Sequence, residues 1–220
     1  MNRRSAEDPF DGLLPMDKPA GMTSHDVVDR VRRHFRLRKV GHGGTLDPMA
    51  TGLLVLLLGR GTRLSNLVMG SDKTYEGDLR LGITTSTEDV DGEILAEKDP
   101  SGVTADQLAD AMRRRVGDLM QTPPMVSAIK KDGVPLYKLA RRGQEVAREA
   151  RLIHIYEFAL LSYAPPVARF RLRCTKGTYV RTLVADIGAE LGCGAHLAAL
   201  RRTTSGPPAG RPTARPPCDA

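Results

Sequence analysis

Residues 41–54 read GHGGTLDPMATGLL, and a single carboxylate, Asp47, stands there between a leucine and a proline in a glycine-rich run. A lone aspartate can act as a nucleophile or as a base, provided that it starts ionised. Asp before Pro is also a common turn initiator, and Asp caps helices. Gly43, Gly44, Ala50 and Gly52 are small enough to let a bulky ligand approach the backbone beside that carboxylate. Other chemistries fit the stretch poorly. A G-x-G-x-x-G phosphate loop starting at Gly41 would need glycine where Leu46 stands, and no G-K-[ST] follows. His42 and Asp47 lack the G-x-S-x-G elbow of a serine triad, and the five histidines never form H-E-x-x-H. Cys174, Cys193 and Cys218 are odd in number and lack the C-x-x-C spacing of a zinc or redox site, and a reducing compartment fits them best.

The elements that must hold this loop lie on either side of it. Upstream, GLLPMDKPAGMTS begins as a short apolar strand and breaks at Lys18-Pro19-Ala20-Gly21. Thr23 then caps a helix with Asp26 three positions on, and the helix runs to about Phe35 with Val27, Val28, Val31 and Phe35 on one face. Its acidic residues come early and its arginines late, as the helix dipole favours. Downstream, LLVLLLG (Leu53 to Gly59) reads as a strand buried on both faces, and KTYEGDLRLG puts Tyr75, Gly77, Leu79 and Leu81 on one face of another. TADQLADAMRRRVGDL (Thr104 to Leu119) predicts a helix with a Thr-x-x-Gln capping box and Leu108, Ala111, Met112, Val116 and Leu119 inward. RLIHIYEFALLSY and VARFRLRCTKGTYV read as strands, and RTLVADIGAELGCG as a helix from Arg181 that Gly192 ends. These elements predict a mixed α/β (α+β) domain over about residues 10–203. Gln121 to Arg151 mixes prolines with cations and predicts an exposed insertion, with a short helix near Tyr137 to Arg142. From Thr203 on, prolines recur among Arg, Gly and Thr, so residues 204–220 are expected to form a disordered tail.

A chain of 220 residues with 40% hydrophobic content can bury a proper core. Its formal net charge of +7 favours a polyanionic partner. The cations cluster at Arg30 to Lys39, Arg113 to Arg115, Ala140 to Arg151, and Arg201 with Arg202; a solvated face is the plain alternative for each cluster. The N-terminal stretch has no apolar core of a signal peptide, and the apolar run Leu53 to Leu58 is too short to span a bilayer. A cytoplasmic protein with no membrane association is expected.

GHGGTLDPMATGLL resembles the G-H-T/G-G-T/A-L-D-P-x-A-T-G signature of the bacterial TruB-type tRNA pseudouridine synthases. PMDKPAGMTS, DKTYEGDLRLGITTSTEDVDGEIL, SAIKKDGVPLYKLARRGQEV and KGTYVRTLVADIGAELGCGAHLAALRR fall in the family's order, so the likeness runs from about Gly12 to Arg202. The resemblance implies a mostly antiparallel central sheet flanked by helices, with an RNA-gripping insertion. It also implies isomerisation of uridine to pseudouridine at position 55 of the tRNA T loop, without cofactor or metal. Asp47 matches the essential nucleophile or base of the family. Arg181 matches the arginine that pairs with it, and Tyr75 and Tyr179 match tyrosines lining the pocket, the Tyr75 hydroxyl assisting a late proton transfer at C5. In a chain with four phenylalanines, five tyrosines and no tryptophan, two tyrosines at motif positions suit stacking on an extruded base. His42 corresponds to a histidine that contacts the T loop, Leu200 to an apolar wall residue, and Lys18 and Lys130 to lysines that touch phosphate or support the loop. The implied partner is the T stem-loop of tRNA, with no metal and no protein partner, and a monomer is expected. Val126 stands where an aromatic is common. Only the proline-rich stretch follows the L-R-R motif, so the usual C-terminal PUA-type module is expected to be lacking. A non-catalytic tRNA-folding assistant and a synthase for a different RNA uridine are the alternatives.

Overall fold

The computed structural model describes residues 9–206 apart from 128, 132, 141, 142 and 145. The tail from 207 onward, Cys218, the first eight residues, and Arg141 and Arg142 of the basic segment lie outside the described residues, as do the side chains of Lys130 and Tyr137. In chain order the elements are β1 (Gly12–Lys18), α1 (Ser24–His34), β2 (Val40–His42), β3 (Thr51–Leu58), α2 (Ser65–Met69), β4 (Lys73–Leu81), β5 (Ile83–Thr85) and β6 (Ile94–Glu97). They continue with α3 (Ala105–Arg113), β7 (Gly117–Gln121), β8 (Lys130–Lys131), β9 (Val134–Pro135), α4 (Leu136–Ala140), β10 (Arg151–Ala164), β11 (Val167–Cys174), α5 (Val180–Glu190) and β12 (Ala195–Ser205).

The central sheet runs β1-β3-β12-β4-β11-β10-β7, with β2 added on β3. Its pairings are antiparallel except for β12 on β3, where Arg201 faces Thr51 and Arg202 faces Gly52. A mixed α/β domain with a mostly antiparallel sheet is therefore what the chain forms. One face of the sheet carries the core: Tyr75, Leu79 and Leu81 of β4 meet Ala168, Phe170 and Leu172 of β11, and Phe158 packs edge-on to Phe170 with 5.4 Å between centroids. Helix α5 packs its Leu183, Val184 and Ile187 against this face beside β12, and α3 packs Leu108, Ala111 and Met112 beside β10.

Both expected capping boxes form. Thr23 and Asp26 close reciprocally at the start of α1, and Thr104 and Gln107 do so at α3. Gly192 follows α5 with φ +80, as a left-handed residue after a helix end should.

Several expectations need correction. Helix α3 stops at Arg113 instead of reaching Leu119, because Gly117 adopts φ +109 and starts β7, whose backbone pairs with β10. Val116 is consequently exposed, and Leu119 belongs to a strand. Strand β3 is not buried on both faces throughout. Leu54 and Leu56 are fully buried while Leu53 and Val55 are only half-buried, and the two-sided burial begins at Leu57. Phe35 lies just past α1, exposed and edge-on to Phe10, and not on the buried helix face. Thr204 and Ser205, expected to open the tail, instead complete β12 against β4 together with Thr203. Backbone pairing needs no apolar side chain, and β-branched threonines suit a strand.

Candidate active site

The loop between β2 and β3 carries Asp47, and the surrounding elements grip its backbone carbonyl by carbonyl. Ser24, at the start of α1 and buried, donates its hydroxyl to the Leu46 carbonyl (3.2 Å) and accepts from the Leu46 N–H (2.8 Å). The Lys18 ammonium donates to Pro19 O (2.9 Å), Met22 O (2.6 Å) and Pro48 O (3.1 Å), and the Gly21 N–H adds a second bond to Pro48 O. From β12, the buried Arg202 guanidinium donates to Gly44 O (3.0 Å), Thr45 O (3.4 Å) and Leu53 O (2.7 Å). Gly52 permits this from below, because its φ of +95 and the approach of the Arg202 backbone leave no room for a Cβ.

Of the two roles left open for Lys18, the geometry matches loop support. Its side chain is fully buried, its three protons are on carbonyls, and burial lowers its pKa. Lys18→Met would orphan buried carbonyls at a cost of about 1–3 kcal/mol. The expected result is a thermal midpoint lower by several degrees, and an unchanged midpoint would show that the ammonium bonds are dispensable.

Asp47 meets Arg181 across 2.9 Å from Oδ2 to Nε. Arg181 sits in the first turn of α5, where the helix dipole disfavours a cation. Two carboxylates offset this, since Asp89 Oδ2 lies 3.5 Å from Nη1 on the other side. Two further N–H groups go to Thr87 O (2.8 Å) and Val126 O (2.9 Å), so the guanidinium is fixed in plane and only 3% exposed. Val126, noted for its side chain, contributes here through its carbonyl. Asp47 keeps 37% of its side chain open to the cavity, yet the depth of the loop dominates its titration. Burial pushes its pKa above the ordinary carboxylate value, Arg181 opposes that rise, and Asp89 and Asp91 add to it.

The carboxylate opens into a cavity of about 700 Å³ walled by Leu46, Tyr75, Ile153, Tyr179, Arg181 and Leu200 among others. Tyr75 and Leu200 are buried core-facing residues of β4 and β12, adjacent strands. Burial raises the Tyr75 phenol to about 12, so it is protonated at neutral pH. Tyr179 is half-buried, with its pKa also raised by burial. Its backbone is clamped by the Gln121 side chain, which donates to Tyr179 O (3.0 Å) and accepts from Tyr179 N (2.8 Å). Arg151 and Lys176, both exposed, stand at the rim. His42 is beside the cavity and not in its wall: Nδ1 accepts from the Gly44 N–H at 3.3 Å. Burial and the Arg202 charge lower its pKa, which keeps the ring neutral as that bond requires.

Sequence reasoning thus brought Asp47, Tyr75, Tyr179, Arg181 and Leu200 to one cavity and missed Asp89, Gln121, Lys73 and Arg202. Asp89 lay in the segment DKTYEGDLRLGITTSTEDVDGEIL, in which only Tyr75 was given a role, and Thr87 Oγ1 (2.5 Å) and the Asp91 N–H (3.1 Å) both donate to its carboxylate. Arg202 was paired with Arg201 as a cationic cluster for a polyanion or a solvated face, but it is 2% exposed while Arg201 faces outward to Asp17. Lys73 shares the face of Tyr75 at period two, a signal present in KTYEGDLRL. Among the described residues no cluster of His, Cys, Asp and Glu is arranged to hold a metal ion, and no helix is long and apolar enough to cross a membrane. Cys174 and Cys193 are buried free thiols.

Residues 32–180 match the family described as TruB family pseudouridylate synthase (N terminal domain), and residues 181–214 match the tRNA pseudouridylate synthase B C-terminal domain. The tRNA pseudouridine synthase B of Syntrophotalea carbinolica is 56% identical over 90% of this chain, which spans 65% of that protein. The enzyme of the same name from Opitutus terrae is 55% identical over 89% of this chain, here 81% of its length. Among solved structures, a Cbf5-Nop10-Gar1 complex superposes with a TM-score of 0.69 at 29% identity, covering 93% of this chain and 56% of the other. An H/ACA RNP bound to a substrate RNA containing 2'-deoxyuridine gives 0.65 at 28% identity, covering 89% of this chain and 47% of that one. A family match over most of the chain, high identity to named relatives and a shared fold agree with the geometry around Asp47: the chain belongs to the TruB family of pseudouridylate synthases.

Proposed function

We propose that this chain isomerises uridine to pseudouridine in tRNA, at position 55 of the T loop, with Asp47 as the essential carboxylate. The observation that carries the reading is the Asp47–Arg181 pair at 2.9 Å, in the wall of a cavity that also holds Tyr75 and Tyr179. Isomerisation requires the bond from C1′ to N1 of the base to break and a bond from C1′ to C5 to form. A carboxylate can attack the sugar or the base, or take a sugar proton; each route needs it ionised, and Arg181 favours that state against burial. The cavity is closed to a base that stays stacked in RNA, so the uridine must be extruded at a cost of a few kcal/mol. Tyr179 at the cavity wall suits stacking on it, while Arg151 and Lys176 at the rim suit the phosphates. His42 shapes the loop that receives the base, and Lys130 remains assigned to RNA contact through the family motif alone.

The test uses tRNA transcripts labelled with tritium at uridine C5, because forming pseudouridine expels that hydrogen. Release from the full transcript, and none when the T-loop uridine is replaced by cytidine, is the expected result. Release that persists after the replacement would move the target elsewhere. Binding without release would turn the reading towards a tRNA-folding assistant.

A smaller prediction concerns Tyr75. Tyr75→Phe keeps the ring and loses the hydroxyl, so release should slow by on the order of tenfold to a hundredfold with tRNA affinity unchanged. An unaltered single-turnover rate would remove the hydroxyl from the mechanism.

A further inference from the structure

Two cations in the cavity wall are not explained by holding Asp47 ionised. Lys73 on β4 and Arg202 on β12 are 6% and 2% exposed, and both line the cavity. Among the described residues neither has a carboxylate within ion-pair distance, in contrast to Arg181, which has two. Both side chains pass beside Gly44 of the Asp47 loop. A Cβ at Gly44 would lie 3.6 Å from Arg202 Nη1 and 3.9 Å from Lys73 Cε. Arg202 is also the direct cross-strand neighbour of Tyr75, and Lys73 lies two residues from Tyr75 on the same strand face.

Neutral donors could satisfy the carbonyls that these side chains touch. A buried charge without a counterion is costly, and an anion that visits the site offsets that cost. Depth decides which anion. The exposed Arg151 and Lys176 meet solvent, where a phosphodiester passes, whereas Lys73 and Arg202 are buried in the wall beside Tyr75, where a phosphodiester would have to be desolvated. Arg202 uses three of the five N–H groups of a guanidinium on carbonyls, which leaves donors for Tyr75 and the base. Lys73 uses its protons on Met69 O, Ser71 O and Val68 O and acts through its field.

We propose that Lys73 and Arg202 form an anion-stabilising wall that binds the uracil ring as it becomes negatively charged. This rests on the isomerase reading above. When the C1′–N1 bond breaks, its electron pair leaves with uracil, which becomes a monoanion. The Asp47 carboxylate supplies the balancing pair, either to C1′ as a bond or to a sugar proton. Attack by C5 on C1′ then either displaces the carboxylate from C1′ or accompanies return of the proton from the Asp47 carboxyl to the sugar carbon it came from; the C5 proton is lost and N1 gains one, so the sequence closes without an oxidant or co-reactant. The wall is preorganised for the one stage at which the base is charged.

The pH dependence supports a readout. Lys73 is lowered to about 8 by burial and by the Arg202 charge from β12; Lys176 adds to this, while Cys174 of β11 and the neighbouring Asp72 oppose it. Its charge is therefore present below that pH and lost as pH rises through it, with RNA phosphates moving the transition upward.

Single-turnover tritium release should be measured from pH 6 to 10 for the native chain, Lys73→Met, Lys73→Arg, Arg202→Lys and Arg202→Gln, with tRNA affinity measured against salt. Lys73→Met should lower the rate by on the order of a hundredfold, with tRNA affinity and salt slope held. Lys73→Arg should keep the rate and lose the alkaline limb, and Arg202→Lys should retain more activity than Arg202→Gln. Native-like rates and pH profiles in both Lys73 variants would overturn the wall. So would weaker tRNA binding with a salt slope reduced by about one and an unchanged bound-state rate, which would assign the cations to a phosphate. Absence of release by the native chain would instead refute the isomerase reading itself.

Discussion

Asp47→Asn should lower single-turnover tritium release by on the order of ten-thousandfold, the scale on which loss of an essential aspartate acts in other enzymes. The amide is nearly isosteric, so the loop that holds it should not move. Ser24, Lys18 and Arg202 grip the backbone at Gly44, Thr45, Leu46 and Pro48, and none of these bonds involves the Asp47 side chain. A neutral amide neither attacks carbon nor accepts a sugar proton, and only the chemistry is lost. The stability signature has a defined sign. The folded Asp47 carboxyl is raised above its ordinary 3.8, so the folded chain holds more protons than the unfolded one just above that value, and stability falls as pH rises through the window. The asparagine variant lacks that contribution, and its unfolding midpoint should vary less with pH just above the ordinary carboxylate range than that of the native chain. Unchanged tRNA affinity is expected beside the lost rate. A residual rate within tenfold of native would remove Asp47 from the chemistry, and an equal loss of binding would make it a recognition residue.

How much of this was legible beforehand depends on the distance over which each feature is determined. The Thr23–Asp26 and Thr104–Gln107 boxes are determined within four residues, and the helices they start formed where expected. The end of α3 was not local in that sense, because Val116 and Leu119 continue the helical spacing and only the pairing of Gly117 to Gln121 with β10 decides otherwise. Strand β12 was hidden by its own irregularities: register shifts after Leu197 and after Arg202 break the alternation, and its pairing with β3 is parallel and far removed in sequence. The site divides likewise. Asp47, Tyr75, Tyr179, Arg181 and Leu200 could be named through motifs, but no spacing reveals that they share a cavity. Asp89, Lys73 and Arg202 are charged side chains whose sequence surroundings look solvated, and burial is conferred on them by strands that the chain reaches later. Arg181 did carry a local signal, since a cation in the first turn of a helix opposes the dipole and calls for carboxylates nearby.

That conflict makes Arg181→Met the second large effect. Methionine fills much of the volume but removes the charge between Asp47 and Asp89. Breaking a buried ion pair by removing one partner costs about 3–5 kcal/mol, and here most of it falls on Asp89, whose side chain is 6% exposed. Asp47 is 37% exposed and is screened by solvent in the cavity, so its share of the stability loss is small. Its effect appears in the pH profile instead. Burial raises the Asp47 pKa and Arg181 is the first influence opposing it, so the variant carboxyl should climb further. The acid limb of the rate profile must then move to higher pH, with part of the lost activity recovered by alkaline buffer. At neutral pH a loss on the order of a hundredfold to a thousandfold is expected, as for other preorganised charges, with a much smaller change in tRNA affinity. Arg181→Lys keeps a charge without the planar fork and should fall between the two. If the acid limb stays in place while the rate drops, Arg181 positions Asp47 without setting its ionisation. If affinity falls as far as the rate, the guanidinium belongs to RNA recognition, and the pair at 2.9 Å is only its resting contact.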